Sequence, residues 1–293
     1  MKNLSKKLVM SIVAVTLVVA ALGASTFAWF TLSNRAEIGT FEAEVTAGEG
    51  IEISLDQENW FSVLTTSMIE DWITQNGDFK LNAVTSSDNS SFTKLNGTND
   101  AFVPVKSTLT ATGVNDIAEY IEFNLYFRST NVTEIRLSEL TFGGASKNFT
   151  VDVPTLKLSE SNVKNQNDVL EVYALDAARV SFTNSVHELV YQAADSGSNT
   201  VSSQTPTVYG QYDYFLKKND EVLFGFDPEA SPAEELMLDA ATTVGASDVV
   251  VTLVGGLGST NIKVWIEGWD QEAYNSILSA QLTISIKFEG IEQ

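Results

Sequence analysis

The chain has 293 residues, of which 44% are hydrophobic and 19% charged, and its formal net charge is −21. This composition is typical of a folding chain, and its acidity excludes nucleic acid as a partner because phosphate backbones bind clustered Lys and Arg. The absence of cysteine excludes disulfides, thiolate metal sites and cysteine nucleophiles, so packing must stabilise the fold.

The N-terminus has the pattern of an export signal. Three lysines within the first seven residues precede an uncharged run over residues 8–34, and small residues lie near the end of that run. The pattern predicts a signal peptide over residues 1–28 with cleavage at Ala28, a secreted or cell-surface protein, and a signal peptidase as partner during export. The same run is long enough to cross a bilayer as an apolar helix, so a retained anchor is the alternative.

Period-two alternation of apolar and polar residues dominates the rest of the chain. It predicts strands within residues 41–45, 51–55, 120–128, 149–153, 262–266 and 282–289. One apolar and one polar face per strand is typical of an antiparallel sandwich. We therefore predict an all-β, jelly-roll-like antiparallel sandwich over residues 47–293, preceded by a strand segment over 29–46. An immunoglobulin-like sandwich is the alternative.

Helical signal is sparse in this sequence. Apolar residues at helical spacing predict one short helix over residues 65–74 and a second over 270–279. Polar stretches over 85–100 and 195–207 predict surface loops, and residues 227–248 predict another long connection.

The sequence offers little for catalysis. His187 is the only histidine, so a zinc site with two histidines cannot form in one chain, and no Gly-x-Ser-x-Gly motif accompanies it as a nucleophile. The glycine-rich residues 255–258 lie between two predicted strands, which indicates a β-turn rather than a phosphate loop. We predict no catalytic residue, no cofactor and no metal; a hydrolase that uses a pair of carboxylates is the alternative.

Three aromatic residues occupy the polar side of predicted strands. Tyr120 and Tyr126 alternate with the apolar residues of one strand, and Trp265 alternates with those of another. Exposed aromatics at these positions could bind sugar or a second subunit, or a loop could pack over them.

The junction Gly23-Ala24-Ser25-Thr26-Phe27-Ala28-Trp29-Phe30-Thr31, followed by a polar bridge and an alternating strand, resembles the export junction of the TasA/camelysin-type surface proteins of Gram-positive bacteria. Further stretches resemble strands of that family and of related secreted proteins of Firmicutes: residues 121–127, 134–140, 178–182, 264–268 and 282–288. The junction is the most specific of these features.

The resemblance implies a jelly-roll subunit that forms extracellular fibres of a biofilm matrix or cell surface. In such a homopolymer the N-terminal segment of one subunit adds as a strand to the next, and the fibre becomes a matrix or cell-wall component. Mapped onto this chain, the donor strand is residues 29–45. Its assembly residues are Trp29, Phe30, Ile38, Phe41, Ala43 and Val45.

Two alternatives to strand donation stay open at this point. Residues 36–46 could pair within their own domain, or the chain could be a membrane-anchored cell-surface module that binds a glycan or protein. The metalloprotease activity ascribed to camelysin-like proteins is not carried over, because this chain lacks a second histidine.

Overall fold

The computed structural model describes residues 41–48, 50–75, 78–95, 102–113, 116–151, 154–159, 162–193, 237–268, 270, 273 and 280–291. Strands dominate these residues, which confirms the all-β fold class. The strands are β1 (Phe41–Ala47), β2 (Ile51–Ser54), β3 (Val63–Leu64), β4 (Asp78–Phe79), β5 (Ala83–Val84), β6 (Thr93–Leu95), β7 (Phe102–Pro104), β8 (Lys106–Ser107), β9 (Ile117–Ser129), β10 (Glu134–Gly143), β11 (Lys147–Thr150), β12 (Thr155–Ser159), β13 (Asn162–Asn165), β14 (Val169–Val172), β15 (Ala178–Thr183), β16 (Glu188–Gln192), β17 (Val249–Thr252), β18 (Leu257–Glu267) and β19 (Leu282–Ile291).

Two sheets hold most of these strands. The five-stranded sheet has the order β17-β10-β19-β1-β3. The eight-stranded sheet has the order β16-β15-β18-β9-β2, with β5 beside β18 and with β4 and β8 beside β9. The pairs β6-β7, β11-β14 and β12-β13 form separate ribbons.

Alternation predicts purely antiparallel sheets, and this prediction is wrong in part: the sheets of the structure are mixed. Most neighbouring strands are antiparallel, but β1 pairs with β19 in parallel, and so do the short strands β4, β5 and β8 with their partners. Strands joined by a hairpin must be antiparallel, whereas β1 and β19 lie at opposite ends of the described chain and can pair in either direction.

The two sheets pack face to face around one apolar core, to which the alternating strands contribute their apolar positions. The core side chains of β9 and β19 that are at most 2% exposed are Ile121, Phe123, Leu125, Phe127, Leu282, Ile284, Ile286 and Phe288. The Phe288 ring meets Phe127 and Phe182 of the facing sheet edge to face, with centroids 5.0 and 6.0 Å away. Burial of each such side chain stabilises the fold by about 1.5–3 kcal/mol.

One helix packs onto this core. The helix α1 (Thr66–Thr74) buries Ile69 and Ile73 and contacts β1, which confirms the helix predicted over residues 65–74. A short 3-10 helix (Ala174–Ala177) leads into β15. The second predicted helix, over 270–279, lies almost entirely outside the described residues.

Part of the predicted loop over residues 85–100 is a structural layer. Phe92 is 3% exposed and Asn89 is 2% exposed, and β6 begins immediately afterwards at Thr93. With Val84, Phe92 contributes to a second apolar cluster on the outer face of the eight-stranded sheet. Residues that follow β5, 85–95, therefore form a third layer over that face.

Candidate functional site

The predicted donor residues fall into two groups. Phe41, Ala43 and Val45 lie in β1, where they pair with Leu282, Ile284 and Ile286 of β19 in the same chain. The remaining predicted residues, Trp29, Phe30 and Ile38, and the predicted cleavage residue Ala28 lie outside the described residues.

β1 is an interior strand of the five-stranded sheet. It lies between β19 and β3, and Val45 is fully buried opposite Leu64. Its polar positions alternate with the buried ones, because a strand directs successive side chains to opposite faces. β1, the first described strand after the predicted export segment, is thus part of the core in the isolated chain. The exchange of this strand between subunits stays a prediction.

Among the described residues, part of β10 forms an unpaired edge of the same sheet. The strand β17 pairs only with residues 134–136 of β10, and the backbone of Leu137 donates one further hydrogen bond to Asp248 O at 3.1 Å. Beyond that point, residues 138–143 have no strand partner on this side among the described residues. Unpaired N–H and C=O groups along such an edge can accept an added strand.

A groove of about 220 Å³ runs beside this open edge. It separates β10 from β16, the outermost strand of the facing sheet. Its lining is mixed: the residues are Leu140, Thr141, Phe142, Leu175, Tyr191, Gln192, Ala193, Thr242 and Val244. Leu140 and Phe142 pack against the core but are only partly buried. In the described part of the chain, the sandwich is therefore open at this position. The volume lies below the usual range for small-molecule sites, which begins at about 300 Å³.

Two polar side chains shape the groove. The Tyr191 hydroxyl donates to Asp248 Oδ2 at 2.5 Å, and that carboxylate also accepts the Gly245 N–H at 2.6 Å. Burial, together with the hydrogen bond to Asp248, raises the pKa of Tyr191 above its usual range. Gln192 Oε1 is buried and receives no hydrogen bond in the described part of the chain.

The aromatic residues predicted to be exposed are largely covered. Trp265 is 0% and Tyr120 is 5% exposed, because Phe92 stacks on Tyr120 at 4.2 Å and meets Trp265 edge to face at 5.2 Å. Only Tyr126 stays partly exposed. The structure therefore supports the alternative in which a loop packs over these aromatics. Neither Trp265 nor Tyr120 is available to bind sugar.

A buried polar cluster, which the sequence did not predict, adjoins these aromatics. Arg179 is 1% and Glu267 0% exposed, with Arg179 Nη1 3.8 Å from Glu267 Oε2. Trp265 Nε1 donates to the same carboxylate oxygen at 3.1 Å, and Arg179 donates to the Leu238 carbonyl. On the same face, Lys263 Nζ donates to the Asn89 carbonyl at 2.8 Å.

These charges lie at positions that alternate with apolar residues in β15 and β18. From sequence alone such positions are expected to face water. Lys263 is covered by the segment that contains Asn89, and Arg179 is covered by Met237 and Leu238. Hydrogen bonds and the ion pair offset part of the cost of burying these charges, while Arg179 Nε has no hydrogen-bond partner in the described part of the chain. The contacts of the cluster are those of a structural element that fixes the layer.

The residues considered for catalysis are dispersed. His187 lies in the turn before β16, where its Nε2 is 3.4 Å from Thr252 Oγ1. The glycine-rich residues form the turn between β17 and β18, with φ of +63° at Gly255 and +80° at Gly256, which confirms the predicted β-turn. Within the described residues no group of three or more His, Cys, Asp or Glu could hold a metal ion, and no helix is long and apolar enough to cross a membrane.

No protein-family model, no curated protein and no solved structure matches this chain at a significant level.

Proposed function

We propose that this chain is a secreted structural subunit that assembles into an extracellular fibre of a biofilm matrix or cell surface. One observation carries the proposal: β1, the first described strand after the predicted export segment, lies in the interior of a sheet in which residues 138–143 of β10 have no further strand partner among the described residues, beside a groove that Leu140 and Phe142 help to line. A segment that precedes β1 and has strand character can then join one subunit to the next. Head-to-tail addition of this kind does not close on itself and produces a filament.

We further infer that the two sheets form a jelly-roll-like sandwich. The chain crosses repeatedly between them, from β9 to β10, from β16 to β17, and then to β18 and β19. Crossing of this kind, with strands distant in sequence as neighbours, supports a jelly roll more than a meander of consecutive hairpins.

The proposal is tested on the form of the protein that cells release. N-terminal sequencing of that form is expected to show a start near Trp29, and electron microscopy is expected to show fibres. A chain that keeps its first residues and stays with the membrane would contradict secretion and would favour the anchored module instead.

A deletion separates assembly from folding. Removal of residues 29–45 would take away most of β1 and damage the core, because Val45 is fully buried. Removal of residues 29–40 leaves β1 intact, and we expect a folded chain that forms no fibres. The matched control is an equally long deletion from the predicted loop over 195–207, which should leave fibres in place. Fibres from the 29–40 deletion would refute strand donation.

A further inference from the structure

We propose that Lys263 forms an amide bond with the side chain of Asn89 in the same chain, with release of ammonia and with Glu122 as the group that relays the proton. The bond joins the third layer to β18 and does not depend on fibre assembly. A chain without cysteine obtains no covalent cross-link from disulfides, and this bond supplies one. The inference is carried by a buried amine, a polarised side-chain amide beside it, and a carboxylate opposite the amine.

The Lys263 side chain is a buried amine. It is 7% exposed, and its Nζ donates to the Asn89 backbone carbonyl at 2.8 Å. The ion pairs among the described residues do not include it. Burial lowers the pKa of this ammonium, although the charges of Glu122, Glu188 and Asp88 act in the opposite direction. A lowered pKa increases the share of neutral amine, which is the form that attacks a carbonyl carbon.

The Asn89 side chain is held as an electrophile beside this amine. It is 2% exposed; its Oδ1 accepts from Ser181 Oγ at 2.9 Å, and its Nδ2 donates to Thr183 Oγ1 at 2.7 Å. The donor at Oδ1 stabilises the negative charge that develops there when Cγ is attacked. Ser181 is paired directly with Lys263 in the sheet, so the amide and the amine meet over the same position. The flexible lysine stem lets Nζ move from the backbone carbonyl of Asn89 to its Cγ.

Glu122 lies opposite Lys263 on the neighbouring strand β9. Its N–H donates to Thr108 Oγ1 at 2.8 Å, and its carbonyl accepts from the same hydroxyl at 2.6 Å. Since these groups bond to Thr108 and not to Lys263, the pair is of the non-hydrogen-bonded type, in which the Cα atoms are about 4.5 Å apart and the side chains lie close together. The carboxylate is thus placed to exchange protons with the reacting nitrogens.

The reaction balances without an oxidant or a cofactor. The lone pair of neutral Lys263 Nζ attacks Asn89 Cγ, and an Nζ–Cγ bond forms. The Cγ–Nδ2 bond then breaks, and its electron pair leaves with Nδ2. Nζ gives one proton to the Glu122 carboxylate, which passes it to Nδ2, and Nδ2 departs as ammonia. The product is an amide that joins the two side chains.

The turn that contains Asn89 does not by itself require asparagine. The carboxylates of Asp88 and Asp56 each accept the N–H groups two and three residues further on. The residue after each aspartate has positive φ, +54° at Asn89 and +65° at Gln57. The same backbone therefore holds glutamine elsewhere in this chain, and turn geometry alone does not explain asparagine at position 89.

Mass spectrometry of the purified, denatured chain tests the bond. We expect the intact mass to lie one ammonia below the mass of the sequence from its determined N-terminus. Trypsin does not cut after a lysine whose Nζ is acylated. A digest should therefore contain residues 81–94 joined to residues 219–287, uncut at Lys263.

Two results would overturn the inference. One is a digest in which residues 81–94 and 219–263 occur only as separate peptides, which shows that Lys263 is free. The other is a loss of ammonia without the joined peptide, which a succinimide at Asn89 would give. Neither result bears on whether the chain forms fibres.

A variant of Glu122 tests the proton relay. Glu122→Gln removes the ionisable group, and because Glu122 is only partly buried, circular dichroism should show an intact fold. We expect the full sequence mass and no joined peptide. The matched control is Glu52→Gln, an exposed carboxylate that pairs with Arg128 at 2.6 Å, which should retain the bond. A yield of joined peptide in Glu122→Gln equal to that in Glu52→Gln would refute the role of Glu122.

Discussion

At the scale of single residues, the main finding is that charged side chains are buried where sequence patterning expects solvent. Arg179 and Glu267 lie on the outer face of the eight-stranded sheet and are at most 1% exposed. The pair is spaced at 3.8 Å and is supported by Trp265 Nε1 and the Leu238 carbonyl. Each partner compensates the cost of desolvating the other, so the loss of one leaves the other uncompensated.

We expect Glu267→Ala to lower the free energy of unfolding by about 3–5 kcal/mol, because it leaves the Arg179 guanidinium buried without its carboxylate. Urea unfolding followed by circular dichroism measures the change. The matched control is Glu139→Ala, which breaks an exposed pair with Lys287 at 2.7 Å and should cost less than about 1 kcal/mol. Equal losses in the two variants would contradict a structural role of the buried pair.

At the scale of elements, the long strands follow directly from alternation, and the turns follow from glycine. β9, β18 and β19 contain the segments whose apolar residues alternate most regularly. Between β17 and β18, Gly255 and Gly256 both adopt positive φ, which L-residues with a Cβ rarely adopt. The Ser129 N–H, at the end of β9, donates to the Gly256 carbonyl at 2.9 Å and so connects the turn to β9.

The two glycines of this turn should respond differently to the same substitution. A Cβ at Gly255 would meet nothing within 4 Å, whereas a Cβ at Gly256 would lie 2.6 Å from the Ser129 carbonyl oxygen. Gly255→Ala is expected to cost about 1 kcal/mol from positive φ alone, and Gly256→Ala clearly more because backbone must move. Thermal unfolding of both variants measures the difference. A larger loss for Gly255→Ala would be inconsistent with this turn.

At the scale of the whole molecule, the described residues form three stacked layers: the five-stranded sheet, the eight-stranded sheet and the segment 85–95. The interior between the sheets is apolar, while the space under the third layer combines aromatic rings with hydrogen-bonded charges. Tyr120 lies in this second space, where burial and the nearby charge of Glu122 raise the pKa of its hydroxyl to about 12.

Because of this raised pKa, the free energy of unfolding falls as pH rises through the alkaline range. The unfolded chain releases the tyrosine proton near pH 10, whereas the folded chain retains it to about pH 12. The contribution is therefore fully present below pH 10 and is lost between about pH 10 and 12, at up to about 1.4 kcal/mol per pH unit. Tyr120→Phe should flatten this decline in urea unfolding at several pH values. If the free energy of unfolding of Tyr120→Phe, taken relative to its value at pH 7, falls as steeply with pH as that of the unmodified chain, the role of Tyr120 is refuted.

The sequence by itself determined the fold class, the long strands, one helix and the turn at Gly255 and Gly256, because each depends on periodicity or on backbone preferences of nearby residues. Local patterns also predict an export segment and a strand over residues 29–45, of which the structure describes only residues 41–45. The donor role of that strand stays a prediction.

Only the tertiary structure decided which polar faces of the strands are exposed to solvent. Alternation shows that Trp265 and Glu267 share a face, but not that Phe92, far away in sequence, covers it. The same holds for the open edge at residues 138–143, since the length of β17 and the position of β16 depend on distant segments meeting in space. Burial and edge pairing are properties of the assembled sheets, and no local pattern contains them.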